Sequence, residues 1–135
     1  MSHVLIVDDS PYNRKYLERI IRHRTQHSVG FAETSLEAVE RMVDRRPDLI
    51  FLDLFIPGDG IVLFDNLRVH PATASIPIVI HSAVPLDAVT SIRLRKMQHD
   101  GFIEFPVAAT ELVNRIDMAL RRNAAVERRW VPPKV

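Results

Sequence analysis

Short apolar runs alternate with longer amphipathic stretches along this chain. The runs are His3–Val7, Ser28–Ala32, Leu49–Leu54, Ile76–Ile80 and Gly101–Ile103. They do not alternate with polar residues, so they predict strands buried on both faces of a sheet. The longer stretches carry helical spacing. Leu17, Ile20, Ile21 and Arg24 step round the first; Leu36, Val39, Met42 and Val43 mark the second; Leu112, Val113, Ile116, Ala119 and Leu120 mark the last. Two weaker helical stretches fall near 60–69 and 85–97. Helix starts are signposted by Ser10-Pro11, a cap followed by proline, and by Thr34-x-x-Glu37, a capping box. Arg46-Pro47 stops the second helix. Five strand–helix repeats predict an α/β fold: a doubly wound parallel sheet with right-handed crossovers and helices on both faces.

Composition agrees with one domain. The chain has 135 residues, 47% hydrophobic and 26% charged, enough apolar material for one core. Eighteen basic and 17 acidic residues leave a net charge of +1, so composition gives no argument for nucleic-acid binding. No apolar run is long enough for a membrane span. The absence of cysteine excludes disulfides and thiolate chemistry. With no export pattern in MSHVLIVDDS, a cytoplasmic location is expected. No P-loop, G-x-G-x-x-G or G-x-S-x-G is present.

The chemistry gathers where such sheets bind ligands, at the carboxyl ends of the strands. Asp8 and Asp9 follow the first strand, Asp53 ends the third and Ser82 follows the fourth. Each alone reads as a cap or turn residue. Together they place three carboxylates and a hydroxyl on one sheet edge. Clustered carboxylates repel, and a hard cation such as Mg²⁺ resolves the repulsion. A carboxylate beside Mg²⁺ can act as nucleophile toward a phosphoryl group. Ser82 could then bond a phosphoryl oxygen, with small Ala83 admitting a close backbone approach. The six histidines show no ligand spacing and read as surface or packing residues; His81 stands out as adjacent to the pocket.

The segments VLIVDDSPYNR, PDLIFLDLFIPGDG, IPIVIHSA and DGFIEFP resemble, in order and nearly in spacing, the receiver domains of two-component response regulators. The resemblance covers about residues 2–122. It implies a flavodoxin-like (βα)5 sheet of order 2-1-3-4-5. It implies Asp53 as phosphoacceptor for a sensor histidine kinase or phosphotransfer protein. Mg²⁺ would be held by Asp8, Asp9, Asp53 and the Phe55 backbone carbonyl. Ser82 and Ala83 would bind the phosphoryl group. Phe102 would turn inward as the switch, remodelling the face of helix 4, strand 5 and helix 5, through which a homodimer could also form. The basic first helix (Arg14, Lys15, Arg19, Arg22, Arg24) reads as a solvated face or a kinase docking surface.

Departures from the family pattern are also legible. Phe105 occupies the position of the lysine that pairs with the phosphoryl group or acceptor. The loop after Asp53 is one residue short, and Gln98-His99 replaces small residues. With no cation at 105, coupling between Asp53 and the Phe102 face is expected to rest on Ser82 alone, and Phe105 to form an apolar lid. The chain is therefore expected to be a single-domain response regulator: residues 1–122 the receiver, 123–135 a tail carrying Trp130, with no output domain. The alternative is a pseudo-receiver that binds partners without phosphate control. An aspartate-nucleophile phosphatase is disfavoured, because the second aspartate it needs is Phe55.

Overall fold

Five parallel strands form one sheet, as the repeats predict, and in chain numbering their order is 2-1-3-4-5, as the resemblance implies. The structure, a computed structural model, describes the backbone of residues 1–129 and the side chains through 122. The strands are β1 His3–Val7, β2 Ser28–Ala32, β3 Leu49–Asp53, β4 Ile78–Ser82 and β5 Phe102–Glu104. The helices are α1 Pro11–Arg24, α2 Ser35–Asp44, α3 Gly60–Val69, α4 Ala88–Lys96 and α5 Ala109–Arg129. Trp130 and the rest of the tail lie outside the described residues.

Three sequence boundaries move. β3 stops at Asp53 rather than Leu54, because the chain turns there into the loop before α3. β4 begins two residues later than the apolar run and extends through Ser82. Ile76 and Pro77 precede it: Ile76 is buried beneath α3, and Pro77 lends its carbonyl to the amide of Ile50. β5 begins at Phe102 and includes Glu104. Burial on both faces holds for β3 and β4 but not for β2 and β5, which are the sheet's edges and are only partly covered.

The side-chain period of two assigns each strand residue to a face. Leu5, Val7, Ile50, Leu52, Ile78 and Ile80 face a core closed by Leu63, Phe64, Leu67 and Leu94 of α3 and α4. Val4, Ile6, Leu49, Phe51, Val79 and Ile103 face the other core, closed by Leu17, Ile20 and Ile21 of α1 and Leu112, Ile116 and Ala119 of α5.

Caps fix the helix entries beside the site. Ser10 Oγ accepts the Asn13 amide at 3.3 Å. Thr34 Oγ1 accepts the Glu37 amide at 3.1 Å, but Glu37 turns its carboxylate to Arg41, so the capping box is half made. Two further caps were not read from the sequence. Asp59, at φ 69°, accepts from the amides of Ile61 and Val62. Asp87 accepts from the amide of Thr90, which starts α4 at Ala88. The short loop after Asp53 closes through bonds from the Asp59 amide to Ile56 and from the Gly60 amide to Leu54.

Candidate functional site

Strand parity places four residues in one row. The α1/α5-facing positions run Val4, Ile6, then Asp8; Leu49, Phe51, then Asp53; Val79, then His81; and Ile103, then Phe105. Asp53 and His81 are register partners across β3 and β4. The row ends at the carboxyl edge of the sheet, so its polar members meet. One donor atom each from Asp8, Asp53 and His81 lies within 4.8 Å of the others, and all three residues are buried.

Asp8 is the most heavily bonded member. His81 Nε2 lies 2.9 Å from its Oδ2. The Asn13 side-chain amide donates to the same oxygen at 3.1 Å, and the Ser10 amide donates to Oδ1 at 2.8 Å. Burial pushes the Asp8 carboxyl up, but the bonds from His81, Ser10 and Asn13 outweigh it and hold Asp8 below the ordinary carboxylate range. Asp8 is therefore an anion and can only accept, so His81 Nε2 carries the proton between them. His81 Nδ1 is buried with no hydrogen-bond partner.

Asp53 lies in the opposite electrostatic situation. Burial pushes its carboxyl up; the Phe55 amide and the His81 ring pull it down, and Asp8 and Asp9 push it up again. The net shift is upward. The Phe55 amide donates to Asp53 Oδ1 at 2.9 Å and fixes the rotation of the carboxylate. Asp9 is exposed at the rim, one residue beyond Asp8. Phe55 is about half exposed, its backbone beside the acceptor. Asp8 and Asp53 bring two buried carboxylates within 4.8 Å of each other and of a His81 ring nitrogen, and their hard oxygens fit a hard divalent cation; Asp9 is not in that cluster.

Phe105 roofs the row. Its ring meets His81 edge-on with centroids 5.3 Å apart and Tyr16 edge-on at 6.1 Å. Tyr16 donates its hydroxyl proton to the Val107 carbonyl, tying α1 to the segment after β5. Phe105 thus packs edge-on against an imidazole at the end of the row. His81 is not a surface or simple packing residue: it is 0% exposed and bonded to the acid pocket.

Ser82 is not aimed at the carboxylates. Parity turns it to the other face. There its hydroxyl donates to the Val84 carbonyl at 2.7 Å and accepts the Val84 amide at 3.1 Å. Ala83 follows on the rim. Ser82 and Phe102 line a cavity of about 550 Å³ with Leu94, Arg95, Glu104 and Phe105, between α4 and β5. Phe102 is half-buried there.

Of the basic residues on α1, Arg14 is not a freely solvated charge. It donates to the Asp8 carbonyl at 2.8 Å and pairs with Glu33 at 2.9 Å. Arg22 pairs with Glu18 on its own helix. Asn13 and His81 are the site residues that the sequence reading passed over or left aside. Asn13 carries a signal, five residues after Asp8 in the first turn of the following helix. His81 carries a stronger one, the parity of Val79 and Asp53.

The family model for the response regulator receiver domain matches residues 4–117. KdpE, the KDP operon transcriptional regulatory protein of Escherichia coli K12, is 33% identical over 126 residues, which are 93% of this chain and 54% of that protein. PhoB, the phosphate regulon transcriptional regulatory protein of Pseudomonas aeruginosa, is 33% identical over 88% of this chain and 52% of its own length. The chain thus spans about half the length of these curated relatives. Among solved structures, the signal receiver domain of a signal transduction histidine kinase from Syntrophus aciditrophicus superposes with a TM-score of 0.80. It is 25% identical, over 100% of this chain and 98% of that one. NtrX from Brucella abortus gives a TM-score of 0.82 at 25% identity, over 94% of this chain and 28% of that one.

Proposed function

Because the chain belongs to the response regulator receiver domain family, we propose that it relays a signal through Mg²⁺-dependent phosphorylation of Asp53 by a histidine kinase or phosphotransfer protein. The observation that carries this reading is the buried Asp8–Asp53 pair at the carboxyl edge of the central strands. Asp8, Asp9, Asp53 and the Phe55 carbonyl would hold the ion. When bound, Mg²⁺ neutralises charge on the incoming phosphoryl group and on the carboxylates.

The chain's own residues supply the remainder. A carboxylate oxygen of Asp53 attacks phosphorus; the new O–P bond forms as the bond to the donor's leaving atom breaks, and that atom keeps the electron pair. The Phe55 amide, fixed on Asp53 Oδ1, orients the nucleophile. Asp8, held by three donors, keeps its charge beside the metal position. Water is limited by the Phe105 lid. Ser82 would leave Val84 to bond the phosphoryl group, opening space in the adjoining cavity for Phe102. This would remodel α4, β5 and α5, the face for a downstream protein or a second copy. We assign residues 1–122 to the receiver and propose that Asp53 is its only covalent group, without substrate turnover beyond self-catalysed phosphotransfer and dephosphorylation.

A second reading is favoured by one observation: an apolar ring and a buried imidazole stand where phosphate would arrive. In that reading the chain is a pseudo-receiver acting by protein contact alone. One experiment separates the two. Incubation with acetyl phosphate and Mg²⁺ should raise the intact mass by one phosphoryl group, and Asp53→Asn should abolish the gain. An unmodified wild type under saturating donor overturns the phosphorelay reading in favour of the pseudo-receiver.

A further inference from the structure

A phosphoryl group on Asp53 would replace its single negative charge with about two, next to the buried Asp8 carboxylate in a largely water-excluded row. Such charge requires donors. Among the described residues, Arg14 is committed to the Asp8 carbonyl and Glu33. Phe105 offers none. The buried N–H donor in the row is His81 Nε2, with its donor atom and those of Asp8 and Asp53 all within 4.8 Å. A phosphoryl group extends its oxygens two bonds beyond the Asp53 carboxylate, which spans most of that gap.

We propose that His81, from β4, is the phosphoryl-binding donor of this site: its Nε2–H moves from Asp8 Oδ2 to a phosphoryl oxygen on Asp53. This rests on the phosphorylation of Asp53 proposed above. The ring already lies close to both residues, with one ligand atom each of Asp8, Asp53 and His81 within 4.8 Å of one another. Its plane is held by Phe105, edge-on at 5.3 Å, and by Phe51 at 6.4 Å. The donor comes from β4, the strand that carries Ser82, so both phosphoryl contacts of the chain would act on the β4–α4 connection. β5 would be moved only through the contact of Phe105 with the imidazole.

The test uses the full chain and beryllofluoride, a phosphoryl mimic, with Mg²⁺. In the wild type, the ¹⁵Nε2 and ¹Hε2 resonances of His81 should shift when the mimic binds. His81→Leu should bind the mimic about ten- to a hundredfold more weakly, the worth of one charge-assisted bond. Mg²⁺ binding alone should change little. His81→Gln, which keeps an N–H near the same place, should recover part of the affinity. His81→Leu/Phe105→Lys should recover it from β5. If Mg²⁺ and mimic affinity fall together in His81→Leu, the residue only positions Asp8 and the proposal is overturned. It is also overturned if the wild-type His81 resonances stay fixed while other amides report binding, a result that needs no variant to fold. A wild type that does not bind the mimic overturns the phosphorelay reading, and this proposal with it.

Discussion

Gly60 tests whether the acceptor loop is as closely packed as the distances indicate. It is the first residue of α3, directly after the Asp59 cap. Helix propensity alone predicts that Gly60→Ala stabilises the protein, by up to about 1 kcal/mol. The structure predicts the reverse. A Cβ at this position would lie 2.5 Å from the Asp53 carbonyl oxygen and 2.7 Å from both Cα and O of Leu54. All three neighbours are backbone and cannot swing aside. Restoring an ordinary contact of 3.4 Å requires a separation of 0.9 Å between α3 and the end of β3. Overpacking of this kind costs roughly 1–3 kcal/mol, which exceeds the propensity gain. The melting temperature should fall by several degrees, at about 2–8 °C per kcal/mol for domains of this size range. The displaced backbone is that of Asp53 itself. A shift near 1 Å in a reacting group can cost about a hundredfold in rate, so phosphorylation by acetyl phosphate should slow far more than stability alone would suggest. Gly30→Ala is the control: its nearest contact is the His3 ring end at 3.2 Å, a side chain that can yield. Thermal unfolding by circular dichroism and intact-mass time courses measure both effects. A Gly60→Ala protein as stable as the wild type, phosphorylated at the same rate, would refute the reasoning.

The two buried carboxylates should respond to neutralisation in opposite ways. Asp53 is raised in the fold, so its stabilising contribution is fully present below the unfolded pKa and lost as pH rises through the folded value. Metal-free Asp53→Asn should therefore be more stable than the wild type at neutral pH, with the advantage disappearing in acid. Asp8 is lowered, so its contribution is present at neutral pH and lost as pH falls through the folded value. Asp8→Asn should destabilise by about 2 kcal/mol at neutral pH and by less in acid; equal effects of the two substitutions would refute the assignment. Mg²⁺ should stabilise the wild type against heat in a saturable way, with much less effect on Asp53→Asn; a response that survives the substitution counts against the acid pocket as the metal site. Arg68, whose guanidinium bonds the carbonyls of Ile76 and Gln98 and the Asp100 carboxylate, ties α3 to the segments that lead into β4 and β5. Arg68→Leu should cost about 2–3 kcal/mol in chemical denaturation, and a value near zero would show that these bonds are replaced by water.

The parallel strand–helix repeats and the acidic residues were legible because each rests on a short-range signal, apolar runs at regular spacing and carboxylates directly after them, whereas the strand order was implied only by the family resemblance. His81 was legible in principle but needed a second step. Counting alternate residues back from it gives Val79, on the same face as Phe51 and Asp53, so its ring had to enter the acid row. The same count puts Ser82 on the opposite face, where its hydroxyl closes a turn on Val84 instead of meeting the carboxylates. The Asp59 cap was not legible as a cap because it adopts a positive φ that aspartate rarely takes, and only the shortened loop packed against Gly60 imposes it. The partial exposure of β2 and β5 could not be read from the composition of single segments. It follows from strand order, which sets which strands have a neighbour on one side only.

Phe105 and His81 pack edge-on against each other, so the proposed role of one bears on the other. The Phe105 ring lies against the imidazole with centroids 5.3 Å apart, so a lysine at position 105 would start beside His81 and compete with it for Asp8. In the arrangement proposed above, where the donor comes from His81 on β4, position 105 would need no cation. It would need a side chain that excludes water from a buried N–H···O⁻ bond, because a bond of this kind is stronger where the local dielectric is low. An aromatic ring serves that purpose while resting edge-on against both the imidazole and Tyr16. The consequence is directional. A lysine at position 105 would transmit phosphorylation as a pull on the segment directly after β5, whereas the proposed donor His81 on β4 would transmit it to its neighbour Ser82. Any switching in this chain is then concentrated at the β4–α4 connection, and β5 follows through aromatic contact.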